Sequence, residues 1–441
     1  LNLSDFNNRK LGWKWRPTVW LKEVMIVKLA LFTDTYVPDV NGVAFTLKRW
    51  ADYLKNQGHQ VKVFAPESKE KKDSSDHIIR YKSYPFFLYP DLEAAIANPL
   101  EIKAKLDRFK PDLIHVATPF NLGVLGRRYA VKYGVPFVAS YHTNFDQYLK
   151  SYNLDWAKGI LDFYLNWFHQ DCQAVFAPSS VTADQLKEQG YPNVKIWPRG
   201  VDHHHFKPAK VKDWAKHEAQ AKFKLEKNKL TILYVGRLAT EKSLDVLIDT
   251  LKEIPPHLLY KLQVNIVGDG PMRQEIKRQA REFDLPINLL GFQQGDNLSL
   301  LYQAGDIFFF PSATETFGNV VLEALASGLP VIGAKAGGVK DLVKQAHNGI
   351  LCPPGEVEAF LDALLFLMNN ASVRQYYAKN ARAFALKQSW DQIMKELLEE
   401  LQDLVDDQAF FNQAWPRIDK AQILKTAVKS SFELALLQFF S

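Results

Sequence analysis

Short apolar runs alternate with helical patterns along the first half of the chain. VKLALFTDTY, QVKVFAP, DLIHVATPF, PFVASYHT and AVFAPS read as buried strands. FTLKRWADYLKNQG, GVLGRRYAVKYG and SVTADQLKEQG carry apolar residues at helical spacing, and the last two stop at Gly134 and Gly190. A lysine-rich, nearly strand-free stretch, residues 207–229, interrupts the series. It then resumes with LTILYVGRL, LQVNIVGDG, INLLGF, DIFFFPS and PVIGAKAG, again with helices between. Strand–helix alternation of this kind predicts parallel sheets covered by helices, so the expected class is α/β, with two doubly wound, Rossmann-like domains. After Trp390 the pattern turns helical: DQIMKELLEELQDLVDD is one predicted helix and RIDKAQILKTAVKSSFELALLQFF another.

The expected division is an N-terminal extension (1–24), a first domain (25–206), a second domain (207–390) and C-terminal helices (391–441), part of which cross back to the first domain. The extension mixes Trp with Lys and Arg, as interfacial segments do, but lacks a cleavage site or a long apolar core, so it makes no convincing signal peptide.

Composition changes this picture little. The 441 residues are 47% hydrophobic and 24% charged, which is ordinary for a globular protein. The net charge of +6 is too small to argue for nucleic-acid binding, and no apolar run reaches membrane-spanning length. Two cysteines without metal-ligand spacing fit a reducing, cytoplasmic location.

The candidate chemistry lies at strand ends of the second series. LYVGRLATEKSLDVLI ends a strand at Gly236, then places Arg237 and, five residues on, Lys242 at a helix start. Two cations beside a helix N-terminus suit a diphosphate, although both also read as solvated surface charges. The turn Gly268–Asp269–Gly270 follows the next strand. PSATETFGNVVLEALASG carries Glu315 on a turn and Glu323 inside the following helix. Eight residues of helix rise by roughly 12 Å, so the two carboxylates cannot share one proton or one metal. They can hold hydroxyls at the two ends of a long polyhydroxy ligand with phosphates between, as in a nucleotide sugar. The alternative readings are a helix-dipole partner for Glu315 and a satisfied helix residue for Glu323.

Taken together and in order, ETFGNVVLEALASGLPVI, GRLATEKSLDVLI, VGDGP, AGDIFFFPS, AKAGGVKDLV, GILCPPGEVEAF and the opening FTDTYVPDVNGVAFTLKRWADYLKNQGHQVKVFAP resemble glycosyltransferase family 4, the retaining GT-B enzymes, over roughly residues 25–400. The resemblance implies a GT-B fold with a cleft between its domains and hexose transfer from a UDP- or GDP-sugar to a hydroxyl. It implies diphosphate binding by Arg237 and Lys242, with Glu315 at the hexose and Glu323 at the ribose. Phe317, Gly318, Asn319 and Val320 would meet sugar and phosphate. The loop holding Asn41 and Gly42 would lie over the diphosphate from the first domain. His142, at a strand end, would contact the donor sugar. Gly236, Gly268, Asp269 and Gly270 complete the expected donor site.

HTNFDQY and IWPRGVD are similar to the subset acting on lipid acceptors, including mannosyl and sulfoquinovosyl transferases. The family's commoner form has Asn where Arg199 stands. Partners expected on this basis are a nucleotide-sugar donor, a lipid or sugar acceptor, an anionic membrane surface, and no nucleic acid. Peripheral attachment at the cytoplasmic membrane face is the accompanying expectation. No cofactor and no metal are expected: there is no Asp-x-Asp clamp, and the consecutive His203, His204 and His205 diverge. A nucleotide-sugar hydrolase or epimerase, and a non-catalytic nucleotide-sugar or lipid-binding protein, stay open as alternatives. A nicotinamide dehydrogenase does not, since no Gly-x-Gly-x-x-Gly follows the first strand.

Overall fold

The computed structural model describes residues 26–39, 41–67, 75–86, 89–142, 156 and 158–414. The extension before Met25, the run after His142 in HTNFDQY and the last predicted helix, residues 417–440, lie outside the described residues.

The apolar runs become two parallel sheets. In the first, β1 (Lys28–Phe32), β2 (Gln60–Pro66), β3 (Ile78–Tyr81), β6 (Leu113–Val116), β7 (Phe137–Ser140), β8 (Ala174–Ala177) and β9 (Val194–Ile196) take the order β3-β2-β1-β6-β7-β8-β9. A short antiparallel hairpin, β4 (Ser83–Phe86) with β5 (Tyr89–Ala95), stands apart from it. In the second sheet β10 (Leu230–Val235), β11 (Leu262–Val267), β12 (Ile287–Gly291), β13 (Ile307–Phe310), β14 (Val331–Ala334) and β15 (Gly349–Cys352) take the order β12-β11-β10-β13-β14-β15. The strands β6, β7, β8, β13 and β14 are buried at every position, as parallel strands covered on both faces must be.

Each sheet reverses its strand order once, at β1/β6 and at β10/β13. Chains leaving the carboxyl ends of such a pair diverge to opposite faces and leave a crevice between them, where ligands of this fold class bind. The loops after β10 and β13 are those that carry Arg237, Lys242 and Glu315.

The core around the second sheet is drawn wholly from residues 201–385. It includes the helix Lys212–Phe223, which lies in the lysine-rich stretch and buries Ala215 and Ala219. The helix Trp390–Ala414 then returns to the first domain, where Ile393, Met394, Leu397 and Leu401 join Leu29, Trp50 and Leu54 in one cluster. The chain therefore passes between the halves twice, and the two passages touch. Val201 N–H donates to the Gln388 carbonyl at 3.1 Å, and a side chain at Gly200 would fall 2.7 Å from Trp390.

Candidate active site

The turn after β10 is set by Tyr234, whose buried hydroxyl donates to the Arg237 carbonyl at 3.1 Å. Arg237 follows Gly236, and the chain makes a 3-10 turn, Thr240–Lys242, before the helix Leu244–Lys252 begins. Lys242 thus stands just ahead of that helix rather than in it. Its ammonium meets Glu315 Oε1 at 2.5 Å, with both side chains 19% exposed. Thr314 Oγ1 donates to the Glu241 carbonyl at 2.9 Å and ties the two loops a second time. The residues predicted at opposite ends of the phosphate–sugar junction are therefore adjacent.

Beyond Glu315 the backbone must turn sharply into the helix Asn319–Ala326. Gly318 makes the turn in the left-handed region (φ 97°), which costs a residue with a Cβ free energy. The N–H groups of Asn319 and Val320, first in that helix, have no intrahelical acceptor and are oriented for an anion. Phe317 is buried beneath the turn. Gly337 and Gly338, after β14, clasp it from behind: Gly338 N–H donates to the Glu315 carbonyl at 2.8 Å, and a Cβ on Gly338 would lie 2.4 Å from Phe317 Cα.

Glu323 lies a turn and a half further along and is partly buried. Tyr302, itself buried, donates its hydroxyl to Glu323 Oε2 at 2.9 Å. Burial pushes the Glu323 pKa up to about 7, against the opposing pull of the Tyr302 hydrogen bond. Gly268 and Gly270 back the β10 loop: a Cβ on Gly268 would be 1.9 Å from the Gly236 carbonyl oxygen, and the Asp269 carbonyl accepts from Leu238 N–H at 2.9 Å. The Asp269 carboxylate accepts from Gly270 N–H at 2.8 Å and lies 3.6 Å from Arg273.

The first domain contributes from the other side. Asn41 caps the helix Gly42–Asn56, accepting from Ala44 N–H at 2.8 Å and donating to Thr35 Oγ1 at 2.8 Å, so its side chain is spent on its own loop. Gly42 faces Asn319 so closely that a Cβ there would stand 2.7 Å from Asn319 Nδ2. His142 follows β7; its carbonyl accepts from Thr316 Oγ1 at 3.2 Å, a direct bond across the cleft. Its Nδ1 accepts from Arg199 Nη2 at 2.7 Å. Burial, Arg199 and His115 hold its pKa well below the usual imidazole value. Ser180 closes the cleft further along, donating from its N–H and Oγ to the Asp341 carboxylate at 2.6 and 2.5 Å.

The structure adds three details that the sequence left open. Lys242 precedes the helix, as described. Arg127, in the basic helix Asn121–Tyr133, is buried, donates to the Phe168 and Trp167 carbonyls and pairs with Asp171, so it is a structural cation. Arg199, whose contact the sequence left unassigned, reaches His142. The sequence reading also missed Tyr302, the Gly337–Gly338 clasp and the Ser180–Asp341 bridge. Only the paired glycines carried a visible signal; Ser180 and Asp341 are 161 positions apart. His203 and His204 do not diverge as expected, their ring centres lying 4.6 Å apart; His204 and His205 N–H donate to Asp202 Oδ1, and among the described residues no group of three or more His, Cys, Asp or Glu side chains converges for a metal.

Two facing parallel-sheet domains with cations, carboxylates and a helix N-terminus at a strand-order reversal define a GT-B-type transferase. The family models agree: residues 215–384 match the glycosyl transferases group 1 model and residues 40–205 the glycosyltransferase family 4 model. The chain is 33% identical over 380 residues to a GDP-mannose-dependent alpha-mannosyltransferase of Mycobacterium tuberculosis, covering 84% of this chain and 95% of that protein. It is 30% identical to an alpha-monoglucosyldiacylglycerol synthase of Streptococcus pneumoniae, over 74% of this chain and 75% of that protein. The solved sucrose-phosphate synthase of Thermosynechococcus elongatus shares the fold, with a TM-score of 0.72 at 20% identity, over 86% of this chain and 100% of that one. The chain belongs to the group 1 glycosyltransferases.

Proposed function

We propose that the protein transfers a hexose from a UDP- or GDP-sugar to a lipid hydroxyl, with retention of anomeric configuration. The observation that carries this reading is the Lys242–Glu315 pair at 2.5 Å, set beside the Asn319 helix N-terminus and opposite Gly42. Lys242, Arg237 and the free N–H groups form one cationic wall for a diphosphate. Glu315 offers acceptor oxygens to hexose hydroxyls next to that wall, and Glu323 sits deeper for the ribose. The pair balances its own charge until a diphosphate competes for Lys242 and releases Glu315 to the sugar.

Catalysis on this reading is positioning and stabilisation of the charge that grows on the leaving diphosphate. No carboxylate is assigned as a nucleophile; the acceptor attacks from the side the diphosphate leaves, and the diphosphate takes its proton. The cations and helix end supply the charge compensation, so activity is expected to survive EDTA. The lipid acceptor is supported by the name of the S. pneumoniae relative. It is also supported by exposed apolar residues of the first domain, Ile160 and Phe163, on one helix at 67% and 76% exposure. Among the described residues no helix is long and apolar enough to cross a membrane.

The test is calorimetry with GDP-mannose and UDP-glucose side by side, then mass spectrometry and anomeric NMR of products formed with diacylglycerol vesicles. Donor binding with hexosyl lipid of retained configuration is expected. Hydrolysis alone, or transfer only to soluble acceptors, would defeat the lipid assignment.

A further inference from the structure

Arg199 occupies a special place. It precedes Gly200, where the two passages between the domains touch, and it reaches the strand end that carries His142. The side chain is buried. Its Nη1 donates to the carbonyls of Trp197 and Pro198 at 2.6 and 3.2 Å, and its guanidinium lies 4.7 Å from the Trp197 ring centre. Its Nη2 bonds His142 Nδ1 at 2.7 Å. A guanidinium only donates, so Nδ1 must be the acceptor, and the neutral ring then carries its proton on Nε2. That Nε2 is buried and, among the described residues, has no hydrogen-bond partner. Trp197 stands edge-on at 5.8 Å and keeps the ring from swinging. Among the described residues, the charged or titratable groups acting on the imidazole are Arg199 and His115, and His115 is held neutral by burial.

We infer that Arg199 is a positioning residue that locks His142 as a neutral Nε2–H donor for an oxygen of the donor sugar. This rests on the nucleotide-sugar reading of the cleft. The ring's one lone pair is occupied by a cation, so His142 has none to offer a proton and does not serve as a base. The lock also joins the sugar contact to the passage between the domains, because the residue that fixes the ring belongs to that passage.

The experiment uses the full chain labelled with 15N at histidine, with the His142 signals assigned by His142→Gln. Long-range 1H–15N spectra report tautomer and titration directly. In the wild type His142 is expected as the Nε2–H form, titrating well below the ordinary imidazole value near 6.5 because of its burial and the Arg199 charge. Arg199→Met should mix the tautomers and move the titration up. Its turnover at saturating donor should fall roughly ten- to a hundredfold, with little change in donor KM. Arg199→Gln keeps a donor without the charge: it should retain the tautomer, titrate higher than wild type and recover part of the turnover. Wild-type tautomer and titration in Arg199→Met overturn the lock. If that variant does not fold, an unchanged titration in Arg199→Gln overturns it instead. Wild-type turnover in His142→Gln, with the tautomer behaving as expected, overturns the placement of His142 at the sugar rather than the lock itself.

Discussion

Lys242 and Glu315 are each other's partners at 2.5 Å, which changes how their substitution should be read. Glu315→Gln and Lys242→Ala are each expected to lower turnover by about tenfold or more while the melting curve stays close to wild type. Because each removal also unpairs the other charge, the double variant should lose clearly less than the sum of the two. Near-normal turnover in both single variants would remove the pair from the site. Glu323 gives a pH prediction. Its pKa is raised to about 7 by burial, so below that pH the free protein holds it protonated. On the proposed reading a ribose diol donates to this carboxylate, so donor binding would expel that proton. Donor affinity should therefore weaken as pH falls below 7, by up to about tenfold per unit, and level off above it. Calorimetry between pH 5.5 and 8 checks this, and Glu323→Gln should flatten the dependence. The sequence showed these residues because chemistry-bearing types recur at fixed distances from strand ends. It could not show that Arg199 bonds His142 or that Tyr302 bonds Glu323, since those contacts join separate elements.

At the level of elements, the site is a set of turns held from behind. The Glu315–Gly318 turn depends on Gly338, whose Cβ would meet only backbone: Phe317 Cα at 2.4 Å, and the Phe317 and Thr316 carbonyl oxygens at 2.6 Å. Backbone cannot step aside as a side-chain tip can. Gly338→Ala should cost about 1–3 kcal/mol in stability and should depress turnover beyond what that loss explains, by displacing Glu315. A thermal melt with kinetics below the transition separates the two effects. Strands buried on both faces were legible because they form continuous apolar runs. The hairpin Ser83–Ala95 and the helix Lys158–His169 were not picked out: Pro85 and Pro90 interrupt the apolar run of the hairpin, and apolar residues crowd the helix on both its buried and its exposed side. The role of Arg127 was hidden for a related reason: only packing reveals that this helix cation satisfies the carboxyl end of a neighbouring helix.

For the whole molecule, the Ser180–Asp341 bridge matters because it spans the cleft with two hydrogen bonds. Asp341→Ala should favour a more open arrangement. A larger radius of gyration in solution scattering is expected, together with a donor KM raised several-fold and little change in melting temperature. An unchanged scattering profile and KM would show that the bridge does not set the opening. The doubly wound halves were legible from alternation alone, but their mutual contacts depend on tertiary placement that no local pattern encodes.

The touching passages at Val201 and Gln388 have a further consequence. The second half leaves and rejoins the first at neighbouring points, so it is topologically an insertion, and among the described residues its buried core runs from Val201 to Ala385, within those points. A unit with adjoining ends can be exchanged by recombination without disturbing the sheet into which it is spliced. Such an exchange would carry the turns after β10 and β13 with it and leave Gly42 and His142 behind in the host.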